Sequence, residues 1–137
     1  MQYIYIPGLG DNYDRYRASG LRDWSKRRKG VTAELVPMRW SDRSETYGQK
    51  FARVEAAIAA VSEDEAITLV GESAGGSMAL AIFHKHATRI SRCVTVCGKN
   101  RGADTLGAIY RQRTPTFFES VERTDAIIPK LSEDELR

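Results

Sequence analysis

A serine between two glycines is the strongest chemical signal in the sequence. Residues 71–75 read G-E-S-A-G, after the β-forming run at residues 67–70 and before the small-residue run at residues 76–83. This order predicts a strand, a tight turn and a helix, with Ser73 at the turn. Glycine suits both flanking positions because a side chain there would separate the strand from the helix.

Such a turn would prepare a serine for nucleophilic chemistry. It would push the Ser73 hydroxyl out at the carboxyl end of a parallel strand and place it at the N-terminus of a helix. The dipole and free amides of that terminus favour a developing negative charge. The backbone N–H of Ala74 would then be one donor to an oxyanion. The alternative interpretation is a glycine- and serine-rich turn without chemistry.

A second glycine loop lies near the start of the chain. The β-rich run Gln2–Ile6 ends at P-G-L-G, residues 7–10. Two glycines would let this backbone approach a substrate carbonyl closely. The alternative is an ordinary turn between a strand and a helix, in which Asp11 or Asn12 would cap the helix.

The two glycine segments, in this order along the chain, resemble the α/β-hydrolase superfamily of serine esterases. In that superfamily the early loop, commonly H-G-x-G, supplies the second oxyanion amide, and here Pro7 stands in place of the histidine. The resemblance implies that the N–H of Leu9 is that donor. It also implies that Gly8, Gly10 and Glu72 line the site, and that no metal or organic cofactor is required.

The base that should activate the serine is missing from the pattern. A serine hydroxyl needs a group to take its proton, usually a histidine oriented by an acid. The only two histidines, His84 and His86, lie on the helix predicted after Ser73. At 1.5 Å per residue they would be about 16 and 19 Å along that helix from the serine, beyond hydrogen-bond reach.

Three explanations for the missing base stay open. The chain could be the N-terminal part of a longer hydrolase, which the recurrence of S-E-D-E at residues 62–65 and 132–135 favours. It could be a non-catalytic hydrolase-like domain that binds a ligand or a partner, or another subunit could contribute the histidine. Position alone makes three residues candidate acids: Asp125, Glu133 and Asp134.

Composition restricts the class of protein. The chain has 137 residues, 42% of them hydrophobic and 28% charged, with a net charge of +3, as in an ordinary globular protein. No apolar run approaches the roughly 20 residues of a membrane helix, and the first residues do not have the basic-then-apolar pattern expected of a leader. We therefore expect a cytoplasmic protein without a membrane segment.

Two smaller features carry no functional prediction. The basic cluster at residues 26–29 ends a predicted helix, where cations suit the helix dipole, so we expect no nucleic-acid partner. Cys93 and Cys97 fall in one predicted strand about 13 Å apart, and we expect buried, reduced thiols. The sequence does not predict the oligomeric state.

Strand and helix patterns alternate along most of the chain. Strands are predicted at residues 2–6, 31–36, 67–70 and 90–97, with helices at residues 13–28, 46–61 and 75–87 between and after them. The alternation predicts a mainly parallel sheet in a three-layer αβα sandwich. We expect one domain over residues 1–137, with a core at 1–98 and a helical segment, a candidate cap, at 99–137.

The resemblance adds that the fold is α/β-hydrolase-like and incomplete at the C-terminus. It implies hydrolysis of an ester, thioester or related acyl bond of a small-molecule substrate. The alternative stays a non-catalytic ligand- or protein-binding domain.

Overall fold

A four-stranded parallel sheet forms the centre of the molecule. The computed structural model describes residues 1–131. The strands are β1 (Gln2–Ile6), β2 (Thr32–Leu35), β3 (Ile67–Glu72) and β4 (Arg92–Val96), in the order β2-β1-β3-β4. Every pairing is parallel, with Ile4 opposite both Glu34 and Leu69. The carboxyl ends of β1 and β3, where the two glycine segments begin, are therefore neighbours at one edge of the sheet.

Helices cover both faces of this sheet. They are α1 (Asp14–Lys26), α2 (Tyr47–Ala59), α3 (Ala74–Lys85), α4 (Ala108–Arg113) and α5 (Pro115–Ile127), with short 3-10 turns at Asp11–Tyr13, Ala103–Thr105 and Ile128–Lys130. With right-handed crossovers, the strand order places α1 on one face and α2 and α3 on the other. The α5 helix packs on the outside of α3. The predicted three-layer αβα sandwich is confirmed.

The main core lies between the sheet and the layer formed by α2 and α3. Its completely buried apolar side chains come from β1, β3, α2, α3, α5 and the loop before α2, and include Ile4, Ile6, Val54, Ile67, Leu69, Met78 and Ile82. On the opposite face, Tyr3 meets Trp24 of α1 edge to face, with ring centroids 5.0 Å apart. The two strands that lead into the glycine segments, β1 and β3, are therefore in a sheet with packed side chains on both faces.

The segment after β4 is largely helical and packs beside α3. The Thr124 hydroxyl donates to the Ser77 carbonyl at 3.1 Å, and the Ser77 and Ser120 hydroxyls lie 2.8 Å apart. Pro115 begins α5, as suits a residue with no N–H to lose in the first turn. The recurrence of S-E-D-E at residues 132–135, with Glu133 and Asp134, lies outside the described residues.

Most predicted elements agree with the structure to within a few residues, but the cysteine prediction is half wrong. Cys93 lies in β4 and is partly buried, whereas Cys97 is exposed just after the strand, with φ of 50°. The strand ends at Val96, so the two-residue alternation that would bury Cys97 does not reach it. Over residues 1–131 none of the helices has both the length and the apolar character needed to cross a membrane.

Candidate active site

Ser73 alone connects β3 to α3. Its backbone has φ of 48° and ψ of −113°, a region that costs a residue with a side chain of order 1–3 kcal/mol. Main-chain hydrogen bonds hold this conformation. The Ser73 N–H donates to the Val96 carbonyl at 2.9 Å, and the Ser73 carbonyl accepts from the main-chain N–H groups of Gly76 at 3.0 Å and Lys99 at 3.2 Å. The side chain is exposed, so its hydroxyl is accessible to a ligand.

Close contact between strand and helix explains the glycines beside this serine. A Cβ added at Gly71 would lie 2.5 Å from the Gly75 carbonyl oxygen and 2.7 Å from the Ala79 Cβ. A Cβ added at Gly75 would overlap the Ile6 carbonyl. Atoms in folded proteins do not pack this closely. The predicted steric need for glycine on both sides of the turn is confirmed.

The P-G-L-G loop lies directly against the serine. Gly8 is buried, and a Cβ added there would be 2.9 Å from the Ser73 Cβ and 3.6 Å from its Oγ. Leu9 and Gly10 follow and are partly buried, with Gly10 at φ of 96°. The structure therefore brings Gly8 and Ser73 together, although they are 65 residues apart in the sequence.

Two main-chain amides near the serine are free. In the part of the chain that the structure describes, the N–H groups of Leu9 and Ala74 donate to no protein acceptor. The Ala74 amide is in the first turn of α3, whose dipole favours negative charge. An exposed hydroxyl beside free amides is an arrangement that can form and stabilise an oxyanion.

Glu72 is directed towards α1. Its carboxylate accepts a hydrogen bond from the Tyr5 hydroxyl, and its Oε2 lies 3.2 Å from the Nε of Arg17. Burial and the hydrogen bond to Glu72 raise the pKa of Tyr5 above its usual range, so Tyr5 stays protonated at neutral pH. The Glu72 side chain therefore contacts the helix layer next to the serine.

Sequence reasoning missed the contacts that fix the glycine loop at its ends. The Asp11 carboxylate accepts from the main-chain N–H groups of Trp40 and Ser41, each at 2.9 Å. The indole N–H of Trp40 donates to the Pro7 carbonyl at 2.9 Å. The predicted capping by Asp11 or Asn12 is wrong: Tyr13 is the N-cap of α1, and the Asp11 side chain turns to the loop after β2. The polar loop at residues 37–46 was the available signal.

The remaining titratable candidates make other contacts. His86 Nε2 is 2.6 Å from the Glu55 carboxylate, and His84 lines a groove of about 400 Å³ between α2, α3 and α5. The Asp125 carboxylate accepts from the amides of Ala103 and Gly102, which lower its pKa. Among residues 1–131, no three histidine, cysteine, aspartate or glutamate side chains are grouped to hold a metal ion.

Comparison with solved structures identifies the fold. The chain is similar to a metagenomic carboxyl esterase, with a TM-score of 0.65 and 19% identity over 97% of this chain and 45% of that one. It is also similar to polyneuridine aldehyde esterase, with a TM-score of 0.59 and 16% identity over 97% of this chain and 49% of that one. No family model and no curated protein matches the sequence.

These similarities show an α/β-hydrolase-like fold, as predicted. The chain spans about half the length of both structures, 45% and 49%. At 19% and 16% identity the likeness concerns the architecture.

Proposed function

We propose that this chain carries the nucleophile and oxyanion hole of a serine hydrolase that acts on an ester, thioester or related acyl bond of a small molecule. One observation carries the proposal: the exposed, strained Ser73 lies against Gly8. The free amides of Leu9 and Ala74 add support, as do the esterases among the solved structures of similar fold.

In the proposed reaction the Ser73 oxygen attacks the acyl carbon. The carbonyl electron pair moves to oxygen, and the Leu9 and Ala74 amides donate to the resulting oxyanion. The carbonyl re-forms as the alcohol or thiol leaves with a proton, and water then hydrolyses the acyl-serine ester. The turn between β3 and α3 presents the Ser73 hydroxyl, and the first turn of α3 provides the Ala74 amide. One strand-turn-helix unit therefore supplies both the nucleophile and an oxyanion donor.

The proton of the serine requires a base, and the described residues do not place one there. Both histidines belong to the C-terminal end of α3, His84 in its last turn and His86 just after it, about 16 Å or more from Ser73 along the helix. We propose that the histidine comes from another segment or from another subunit. The absence of a base beside Ser73 among the described residues favours one second candidate function, a hydrolase-like domain that binds a ligand without turnover.

Covalent labelling distinguishes the two candidates. The chain is incubated with a fluorophosphonate probe in the full-length, assembled protein, so that a histidine from another segment or subunit is present, and the modified peptide is mapped by mass spectrometry. The enzyme proposal expects labelling at Ser73 that is lost in Ser73→Ala and kept in Ser91→Ala, which removes an exposed serine whose side chain makes no hydrogen bond within residues 1–131. Dialysis against EDTA should leave labelling unchanged, since the proposed chemistry uses no metal.

Two other results would contradict the enzyme proposal. Labelling that survives in Ser73→Ala contradicts the assignment of the nucleophile. A full-length, assembled wild-type protein that binds p-nitrophenyl esters saturably but neither labels nor releases nitrophenol supports the binding domain instead.

The basic cluster has no part in this proposal. Arg28 lies over the Trp24 ring at 4.4 Å from its centroid and donates to the Trp24 carbonyl at 3.0 Å. These contacts support a role in ending α1. The absence of a nucleic-acid partner and a cytoplasmic location both stay predictions.

A further inference from the structure

We propose that Arg17 is a positioning residue that holds the P-G-L-G loop against the Ser73 turn. This inference rests on the proposed function, because it concerns the geometry of the oxyanion donors. Arg17 lies in α1, which belongs to neither glycine segment, and its side chain is only 22% exposed.

The guanidinium of Arg17 binds both parts of the candidate site at once. Its Nε lies 3.2 Å from Oε2 of Glu72, the residue before the serine. Its Nη1 donates to the Gly10 carbonyl at 3.0 Å, and its Nη2 reaches the Leu9 carbonyl at 3.4 Å. One rigid, planar group thus connects the end of β3 to the middle of the glycine loop.

These contacts fix the orientation of peptide planes. In a trans peptide the C=O and N–H groups point in opposite directions. With the carbonyls of Leu9 and Gly10 bound by Arg17, the N–H groups of Gly10 and Asp11 are turned away from it. The Leu9 N–H belongs to the peptide between Gly8 and Leu9. Gly8 contacts Ser73, and the carbonyl of Leu9 is bound by Arg17.

The loop needs such a contact because its middle is weakly constrained. Its ends are fixed, since Trp40 donates to the Pro7 carbonyl and to the Asp11 carboxylate. Between them, Gly8 and Gly10 allow backbone conformations that other residues avoid. A peptide flip there would turn a donor away from the substrate without breaking the contacts at either end.

The charge of Arg17 is already balanced inside the protein. It pairs with Glu72 and with Asp14, whose Oδ1 is 3.2 Å from Nη1. Burial raises the pKa of Asp14, although the bond from Arg17 opposes that effect. A guanidinium with two carboxylates and two carbonyls has few donors left for a substrate, which favours positioning over substrate binding. A lysine could not reproduce this planar set of bonds.

The test compares three variants at two positions in the first turn of α1. Arg17→Gln removes the guanidinium, Arg17→Lys keeps the charge, and Arg15→Gln makes the same change at an exposed neighbour without a bond in the described residues. We expect the second-order rate of fluorophosphonate labelling at Ser73 to fall about 10- to 100-fold in both Arg17 variants. Arg15→Gln should react like the wild type.

A second measurement separates positioning from general destabilisation. With an ester substrate, kcat should fall while KM stays near the wild-type value, at a temperature where circular dichroism shows every variant folded. Hydrogen exchange should accelerate at residues 8–10 and stay unchanged in β1 and β3. If Arg17→Gln does not fold, the Arg17→Lys and Glu72→Gln variants carry the same test.

Wild-type labelling rates in a folded Arg17→Gln, with unchanged exchange at residues 8–10, would overturn the positioning role and leave the proposed function intact. A full-length, assembled wild-type protein in which Ser73 never reacts overturns the proposed function, and the positioning role with it.

Discussion

Gly8 leaves no room for a side chain beside Ser73. Gly8 has no positive φ, so its backbone would accept alanine, yet an added Cβ would lie 3.1 Å from the Glu72 carbonyl oxygen and 2.9 Å from the Ser73 Cβ. The neighbouring atoms belong to the strained turn, which cannot easily move. Glycine is therefore required here by contact, and the contact is with the proposed nucleophile.

We predict that Gly8→Ala lowers the labelling rate at Ser73 at least about 10-fold, because the methyl group pushes the loop and its amide out of position. Gly20→Ala is the matched control, since no atom of the described residues lies within 4 Å of a Cβ at that position in α1. It should keep the labelling rate and raise the free energy of unfolding by about 0.5–1 kcal/mol. Equal labelling rates in the two variants would contradict the proposed contact.

Residues with local requirements could be predicted from the sequence, and residues with distant partners could not. The glycines beside Ser73 are dictated by the turn itself, so the strand, turn and helix pattern at residues 67–83 was enough. Arg17 contacts Glu72, 55 residues further along the chain, only after α1 has packed on the sheet. Nothing in its sequence neighbourhood distinguishes it from Arg15.

At the scale of elements, a buried lysine in α2 holds the loop between β2 and α2. Lys50 is completely buried, and its ammonium donates to the carbonyls of Met38 at 3.0 Å and Asp42 at 3.4 Å, and to the carbonyl of Arg39. It also pairs with Glu45 at 3.3 Å. The same loop carries Trp40, which fixes the glycine loop, so Lys50 supports the candidate site from a distance.

We predict that Lys50→Met lowers the free energy of unfolding by roughly 2–4 kcal/mol, because several buried acceptors lose their donor. Lys29→Met, at an exposed position after α1, should change it by less than about 0.5 kcal/mol. Urea denaturation of both variants and the wild type measures the difference. A Lys50 variant as stable as the Lys29 control would show that this lysine does not anchor the loop.

The helix containing Lys50 was predictable, but the burial of its lysine was not. Apolar residues at three- and four-residue spacing placed a helix at residues 46–61, and the structure has Tyr47–Ala59 with Thr46 as its N-cap. Lys50 lies on the same helix face as Val54 and Ile58, four and eight residues later, but a lysine is rarely fully buried unless it is paired. Its burial depends on carbonyls that the preceding loop directs inwards, which periodicity cannot reveal.

Across the whole molecule, the alternation of strand and helix patterns was enough to predict the three layers. Long-range hydrogen bonds join the C-terminal segment to those layers. The sheet order β2-β1-β3-β4 and the packing of α5 on α3 depend on tertiary contacts that no local pattern encodes. One such contact is made by Asp125 of α5, which binds the amides of Gly102 at 2.8 Å and Ala103 at 2.9 Å. It thereby joins α5 to the loop after β4.

This contact predicts a dependence of stability on pH. The amides of Ala103 and Gly102 lower the pKa of Asp125 below its ordinary value of 3.8. A carboxyl whose pKa is lower in the folded than in the unfolded chain stabilises the fold above the unfolded value, and that contribution is lost as the pH falls through the folded one. We therefore expect Asp125→Ala to lower the thermal midpoint by about 5 °C at pH 7.

The difference between Asp125→Ala and the wild type should shrink as the pH is lowered past 3.8, because both chains then lack the carboxylate. Scanning calorimetry at pH 7, 5 and about 3 follows this convergence. Asp23→Ala, which removes an exposed carboxylate of α1, should change the midpoint at pH 7 by no more than about 2 °C. A deficit in Asp125→Ala that stays constant down to the lowest pH would mean that packing of the side chain, and not its charge, joins α5 to the loop.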